Sequence, residues 1–327
     1  MPVLSREKPV ISPYKIYTFP DHFFVISGFF PTRLPANNKI RSNHVTITFR
    51  ISDSKALAGG IFRVDRLIIC DIDNTLLPAG GTISDVTMET IRELDASTGF
   101  SIATGRSFHV VRKFVEEMGI RVPVITSNGA QVYDYAGNKA VYESCFSSEA
   151  ASALLDLLIR KGFDFVAYGL EGIFYRSGST HMAFFNNYNA SVREEIRAPL
   201  IPLDETSLST PPERLTKVLV YSPTEDLIKE IRQDPDLEVT ASMHSVIDIM
   251  PRGSTKGNAV VALASYLKVP LDHVFCFGDN DNDISMFTCG AVGIAMGNAT
   301  EEAKASAAMI TRNCKDDGVA YAIRHLL

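Results

Sequence analysis

Two aspartates one residue apart, Asp71 and Asp73, close an apolar run in the segment Leu67–Leu77, LIICDIDNTLL. A carboxylate is costly to bury on a hydrophobic strand unless a cation or hydrogen bonds compensate it. The pair, followed by Asn-Thr, therefore points to a metal site with acid/base or nucleophilic chemistry. The plainer account is a turn in which Asp and Asn cap backbone groups. Thr104-Gly105-Arg106 follows the strand-like SIA, and a hydroxyl beside a glycine suits a phosphate oxygen there. A simple strand-to-helix turn is the competing reading. Lys256, in GSTKGNA, opens a helix, where the dipole disfavours a cation. A point charge beside a phosphate and a carboxylate accounts for it; a solvated surface lysine is the alternative. Asp279, Asp281 and Asp283 crowd the turn in FGDNDNDISMF and would repel one another without a cation. That turn lacks the central glycine and the closing glutamate of an EF-hand loop. Helix capping competes for Asn282 and Asp283, but it does not explain Asp279 behind Gly278.

The elements that must position these groups alternate. From Asp65 the pattern predicts a strand over Leu67–Asp71, a helix over Ser84–Ser97, a strand over Phe100–Thr104 and a helix over Phe108–Met118. A strand over Val124–Ser127 leads into the turn Asn128-Gly129 and a hairpin of Gln131–Tyr135 with Lys139–Tyr142. After residue 250 the alternation resumes: helix Thr255–Leu267, strand Val274–Gly278, short helix Asp283–Cys289, strand Gly293–Met296, helix Ala299–Ala307, strand Met309–Thr311 and helix Gly318–Leu327. Strands separated by such helices imply an α/β fold with a parallel sheet and right-handed crossovers. The four motifs then recur at the carboxyl ends of strands, where open sheets place their ligands. Residues 146–250 change character: helix Ser148–Lys161, strands Phe163–Tyr168 and Gly172–Arg176, helix Thr180–Arg197, then a Pro-rich connection from Pro199 to Pro212. Strand Lys217–Tyr221, helix Thr224–Arg232 and a closing pair, Leu237–Ser242 with Ser245–Met250, complete it. This is an α+β unit inserted into a parallel domain made of 64–145 and 251–327.

The chain has 327 residues, 46% hydrophobic and 21% charged, enough for a full core and two domains. Its net charge of -6 and pI near 5.7 argue against nucleic acid as a partner. No apolar run is long enough to cross a bilayer. Cys70, Cys145, Cys276, Cys289 and Cys314 form no C-x-x-C pair, which fits free thiols in a reducing cytoplasm better than a disulfide framework or zinc site. Residues 1–63 carry nine Lys/Arg against three Asp/Glu, leaving -12 for the remainder. Without a long helical or alternating pattern, that segment is read as an extension or poorly ordered tail in preference to a third folded domain. Its basic, acid-poor character also fits a transit peptide, and it has no compact h-region of a secretory signal.

With these motifs in this order, residues 65–327 resemble the haloacid dehalogenase superfamily, and within it the Cof-type phosphatases. TSNGA at Thr126–Ala130, AMGNATEEAKASA at Ala295–Ala307 and DDGVA at Asp316–Ala320 add to the likeness. Asn74 stands where many relatives have glycine. The resemblance implies a Rossmann-like core with a type-2 cap and a phosphatase acting through an aspartyl-phosphate. Asp71 would be the nucleophile and Asp73 the acid/base. Mg²⁺ would be held by Asp71, the Asp73 carbonyl and Asp279. Thr104, Gly105, Lys256 and Asn282 would bind the phosphate, with Asp283 supporting Lys256. The expected partner is a small phosphorylated metabolite such as a sugar phosphate, flavin mononucleotide or pyridoxal phosphate, with no nucleic acid or membrane; a monomer or homodimer is expected. A phosphomutase is the near alternative, with Arg176, Arg193 and Arg197 as candidates for a second phosphate; a catalytically idle metabolite sensor is the distant one. Cap residues around His181–Tyr188 and Met243–His244 are candidates for specificity, with core roles open for Phe184 and Phe185.

Overall fold

The computed structural model describes residues 63–204, 212–243 and 245–327, with the backbone of three strands nearer the start. Those strands, β1 (Tyr14–Thr18), β2 (Phe23–Thr32) and β3 (Arg41–Arg50), pair antiparallel in that order. They lie in a compact unit of their own, Met1–Ile61. The sequence reading placed no regular element there. The runs FFVISGFF and HVTITFR do carry the aromatic and β-branched residues that favour extended pairing. The expectation of poor order otherwise falls on residues outside those described.

The second unit begins at Phe62. In β4 (Arg66–Cys70) every residue after Arg66 is buried, as expected of a strand covered on both faces. α1 (Asp85–Arg92) starts at Ser84, whose hydroxyl accepts the Thr87 N–H. β5 (Thr98–Ile102) follows, then α2 (Phe108–Met118), capped by Ser107 and stopped by Gly119 in the left-handed region. β6 (Val124–Thr126), β7 (Gln131–Asp134) and β8 (Lys139–Glu143) form a small antiparallel sheet.

The chain then builds the inserted unit. Its elements are α3 (Ser148–Arg160), β9 (Asp164–Tyr168), β10 (Ile173–Arg176), α4 (Ala183–Ser191), β11 (Leu200–Leu203), β12 (Lys217–Tyr221), α5 (Glu225–Ile231), β13 (Leu237–Met243) and β14 (Val246–Pro251). The six strands form one sheet in the order β11-β10-β9-β12-β14-β13, antiparallel except for β10 with β11. On one face Leu155 and Leu158 of α3 and Leu227 of α5 pack on Phe165, Val218 and Ile249. On the other, Val166, Tyr168, Leu219 and Val246 meet Phe185 and Tyr188 of α4 and also Val110 of α2. That second face therefore looks onto the core.

Two readings of this unit need correction. The helix expected over Thr180–Arg197 is only Ala183–Ser191, followed by extended Val192 and a single turn at Glu194–Ile196. Asn189 exchanges both side-chain hydrogen bonds with the backbone of Ala198 and folds the exit back, competing with further helix. β11 was hidden in the supposed Pro-rich connection. Pro202 is tolerated because β11 is an edge strand.

The core resumes with α6 (Lys256–Leu267), β15 (Val274–Gly278), α7 (Ile284–Phe287), β16 (Val292–Ala295), α8 (Glu301–Ser306), β17 (Met309–Ile310) and α9 (Gly318–His325). Its five strands are all parallel, in the order β17-β16-β15-β4-β5, and a bridge from Ala103 to Ile125 carries β6 alongside β5. From β4 the chain proceeds to β5 on one side, and from β15 to β16 and β17 on the other. The crevice between β4 and β15 is thus the topological switch point of an α/β sheet. Among the described residues no helix is long and apolar enough to cross a membrane.

Candidate active site

Strand register brings the motifs to one level. Cys70 pairs with Phe277 on β15 and with Ile102 on β5, and the Asp71 N–H donates to the Phe277 carbonyl at 2.9 Å. Asp71, Thr104 and Asp279 consequently leave three neighbouring strands side by side. Lys256 arrives from above on the first turn of α6, whose N-cap Thr255 accepts the Asn258 N–H. Two glycines seat that turn. Gly129, at φ 93°, lies so close that a Cβ would come within 2.1 Å of the Thr255 carbonyl oxygen. A Cβ on Gly257 would come equally close to the Ser285 carbonyl oxygen.

Lys256 is 1% exposed and donates to Asp71 Oδ1 at 2.7 Å and to Asp283 Oδ1 at 2.6 Å. The other oxygen of Asp283 accepts the N–H groups of Asp279 (2.9 Å) and Asn280 (3.0 Å). Gly278 makes this possible, since a Cβ there would sit 2.4 Å from that of Asp283. Thr75 donates to Asp279 Oδ1 at 2.9 Å. Burial raises the Asp71 carboxyl to about 7 against the pull of Lys256, with Asp283 and Asp279 adding repulsion. Burial likewise raises Asp279 to about 6, opposed by the Thr75 hydrogen bond. Burial would lower Lys256, but Asp283 and Asp71 hold it above the usual lysine range.

Oxygens of Asp71, Asp279 and Asp283 lie within 4.8 Å of one another. Three carboxylates around one ammonium leave two negative charges uncompensated. A hard, all-oxygen donor set with that surplus fits a divalent cation such as Mg²⁺. Asp283 is the least free of the three, because both its oxygens are already committed. Asp71 and Asp279 each keep an oxygen outside these hydrogen bonds.

The remaining expected residues gather less tightly. Asp73 makes no hydrogen bond to Lys256: its side chain is 55% exposed, and both its oxygens accept from the fork of Arg106 at 2.6 and 3.0 Å. That guanidinium lies 5.2 Å from the ring centre of Phe114 on α2 and 5.3 Å from that of Phe184 on α4. Thr104 is buried, and its hydroxyl accepts the Arg106 N–H. Gly105 brings its backbone against Asn128, while Asn282 donates to Asn128 Oδ1 at 3.3 Å. Asp281 is exposed and accepts from Thr300. Asn74 adopts φ 61°, a left-handed conformation that asparagine tolerates better than most residues.

In the cap, His181 bonds Asp164 at 2.6 Å and stacks on Tyr221; Phe185 is core, and Phe184 is 46% exposed. His244 lies outside the described residues, as does the side chain of Met243. Arg193 pairs with Glu116 on α2, Arg197 donates to the Asn189 carbonyl, and Arg176 is partly buried. Sequence reasoning missed Asn128, Thr75 and the pairing of Arg106. It also missed Lys217 and Asp248, a lysine and an aspartate on apolar strands. The rule that singled out Asp71 applies to them equally.

A family profile of haloacid dehalogenase-like hydrolases matches residues 68–323. The chain belongs to that family, as its motifs implied. It is 28% identical to a 5-amino-6-(5-phospho-D-ribitylamino)uracil phosphatase, YwtE, of Bacillus subtilis, over 80% of this chain and 98% of the relative. It is 26% identical to the pyridoxal phosphate phosphatase YbhA of Escherichia coli, over 80% and 99%. The crystal structure of a haloacid dehalogenase-like hydrolase from Bacteroides thetaiotaomicron superposes with a TM-score of 0.68 at 21% identity, covering 80% and 99% of the two chains. Family and relatives together make the chain an enzyme, a hydrolase of the phosphatase type.

Proposed function

We propose that this enzyme hydrolyses a small phosphorylated metabolite with the help of a divalent cation, through an aspartyl-phosphate on Asp71. The observation that carries the reading is the buried Lys256 shared by Asp71 and Asp283 at the switch point. A carboxylate approaching a phosphate dianion meets repulsion. The lysine reduces it, already oriented and desolvated, and stabilises charge on the equatorial oxygens of a loose transition state. The Thr104 hydroxyl and the nearby backbone amides would add donors to the phosphate, and Asn282 would add a side-chain amide. When bound, a divalent cation, Mg²⁺ in this reading, held by Asp71, Asp279 and the main-chain carbonyl of Asp73, supplies the remaining charge neutralisation.

Asp73 would protonate the leaving oxygen and then take a proton from the water that attacks the aspartyl-phosphate. Both its oxygens accept from Arg106, so this role requires the fork to open. A leaving group entering between the two would open it. Asp283 acts at one remove, fixing Lys256 and the Asp279 loop. The named activities of the relatives, on a ribityl phosphate and on pyridoxal phosphate, support a substrate of that size. Arg193 and Arg197 are engaged elsewhere, which favours water over a sugar as phosphoryl acceptor.

The test is inorganic phosphate release from p-nitrophenyl phosphate with MgCl₂. Asp71→Asn should lose at least about 10³-fold in kcat with its circular dichroism unchanged. Full activity in that variant sinks the mechanism. Isomerisation of a hexose 1-phosphate without free phosphate would replace it with a mutase.

A further inference from the structure

Register places a group of polar side chains on the core-facing side of the cap sheet. Lys217 is paired with Tyr168, and Leu219 lies between Val166 on β9 and Asp248 on β14. Directly opposed residues project to the same side, so Lys217, Tyr168 and Asp248 share the face on which Val166, Leu219 and Val246 meet Val110 of α2. Asp248 is 1% exposed. Its Oδ2 takes the Lys217 ammonium at 2.5 Å and the Asn128 amide at 2.9 Å. Lys217 also donates to the Gly105 carbonyl at 3.2 Å. Both partners thus reach the catalytic loops: Gly105 adjoins Thr104, and Asn128 is bonded to Asn282.

The second oxygen of Asp248 is buried without a hydrogen-bond partner. A buried carboxylate oxygen in that state is expensive, and it calls for a donor. Burial also keeps the neighbouring Tyr168 phenol neutral, so the face offers a carboxylate acceptor, an ammonium donor and a hydroxyl. An aliphatic hydroxyl, which donates and accepts at once, matches that set. An alkyl or flat aromatic group would leave Asp248 unpaired, and a site built around a hydroxyl rejects analogues that lack one.

We propose that Asp248, with Lys217, is the hydroxyl-recognition site for the leaving group, selecting phosphate esters of polyhydroxylated carbon chains such as alditols and sugars. This rests on the phosphatase reading above, which phosphate release by the unaltered enzyme tests separately: none from either ester below sinks that reading, whereas release without a preference between them sinks only this one. The comparison is between ribitol 5-phosphate and pentyl phosphate, five-carbon esters that differ in their hydroxyls. The unaltered enzyme should prefer the ribitol ester in kcat/KM. Asp248→Asn should reduce that preference about 10- to 100-fold, the worth of one hydrogen bond to a charged group. Equal losses on both esters would show a merely structural tie between cap and core and overturn the proposal. So would an unaltered enzyme with no preference. Should Asp248→Asn fail to fold around an unpaired Lys217, the double variant Lys217→Met with Asp248→Leu removes both charges. A folded double variant that still prefers the ribitol ester also overturns it.

Discussion

Because burial raises Asp279 to about 6 and Asp71 to about 7, the cation-free folded protein holds protons that an unfolded chain, titrating near 3.8, has released. Across that window stability falls as pH rises. In EDTA the melting temperature should be higher at pH 5 than at pH 8, and MgCl₂ should restore it at pH 8 by binding the ionised site. Asp279→Asn removes one titrating group and should flatten the slope; equal slopes in the two proteins would refute the assignment. At this scale the sequence was legible wherever a charge broke the local pattern: Asp71 on an apolar strand, Lys256 at the positive end of a helix, Asp279 behind a glycine. Lys217 and Asp248 broke it just as clearly. They belonged to no motif, and only the register shows that both face the catalytic loops. The bond from Arg106 to Asp73 left no local trace at all, since it joins residues brought together by the fold.

Among the elements, the turn between β6 and β7 controls where α6 begins. Gly129→Ala would drive a methyl into the Thr255 carbonyl and also strain a φ of 93°. The clash should cost about 1–3 kcal/mol and the backbone a similar amount, and kcat should fall because Lys256 moves with α6. Gly119→Ala is the control: its φ is also positive, but nothing lies within 4 Å of the new Cβ. It should lower the melting temperature while kcat is held. If Gly129→Ala behaves the same way, the turn does not position Lys256. The sequence could mark Asn128-Gly129 as a turn because left-handed backbone has a local signature. What the turn presses against is set by packing, which has none. Edge strand β11 was lost for a related reason: a proline argues against a strand unless the reader knows that the strand is at the edge.

Over the whole second unit, cap and core are tied by polar contacts such as Lys217 with Gly105, Thr216 with Ser127 and Arg193 with Glu116, and Arg106 is shared between them. Its guanidinium links Asp73 in the core to the exposed ring of Phe184 in the cap. Phe184→Ala should raise KM for p-nitrophenyl phosphate about 3- to 5-fold, in line with about 0.5–1 kcal/mol for an exposed cation–π contact, with a smaller change in kcat. An unchanged KM would mean that the ring plays no part in holding cap to core. The inserted unit itself was visible as a change in the rhythm of strands and helices; which of its faces addresses the core was not. The five thiols add a graded readout of this architecture. Only a thiolate alkylates readily, and burial raises all five, with Cys145 at about 12 and Cys70 and Cys276 well above the usual range. Cys145 stands where the chain passes from β8 to α3, while Cys70 and Cys276 lie inside the adjacent strands β4 and β15. Their alkylation rates form a clock with two hands, one timing exposure of the β8–α3 connection and the other the loss of the central sheet.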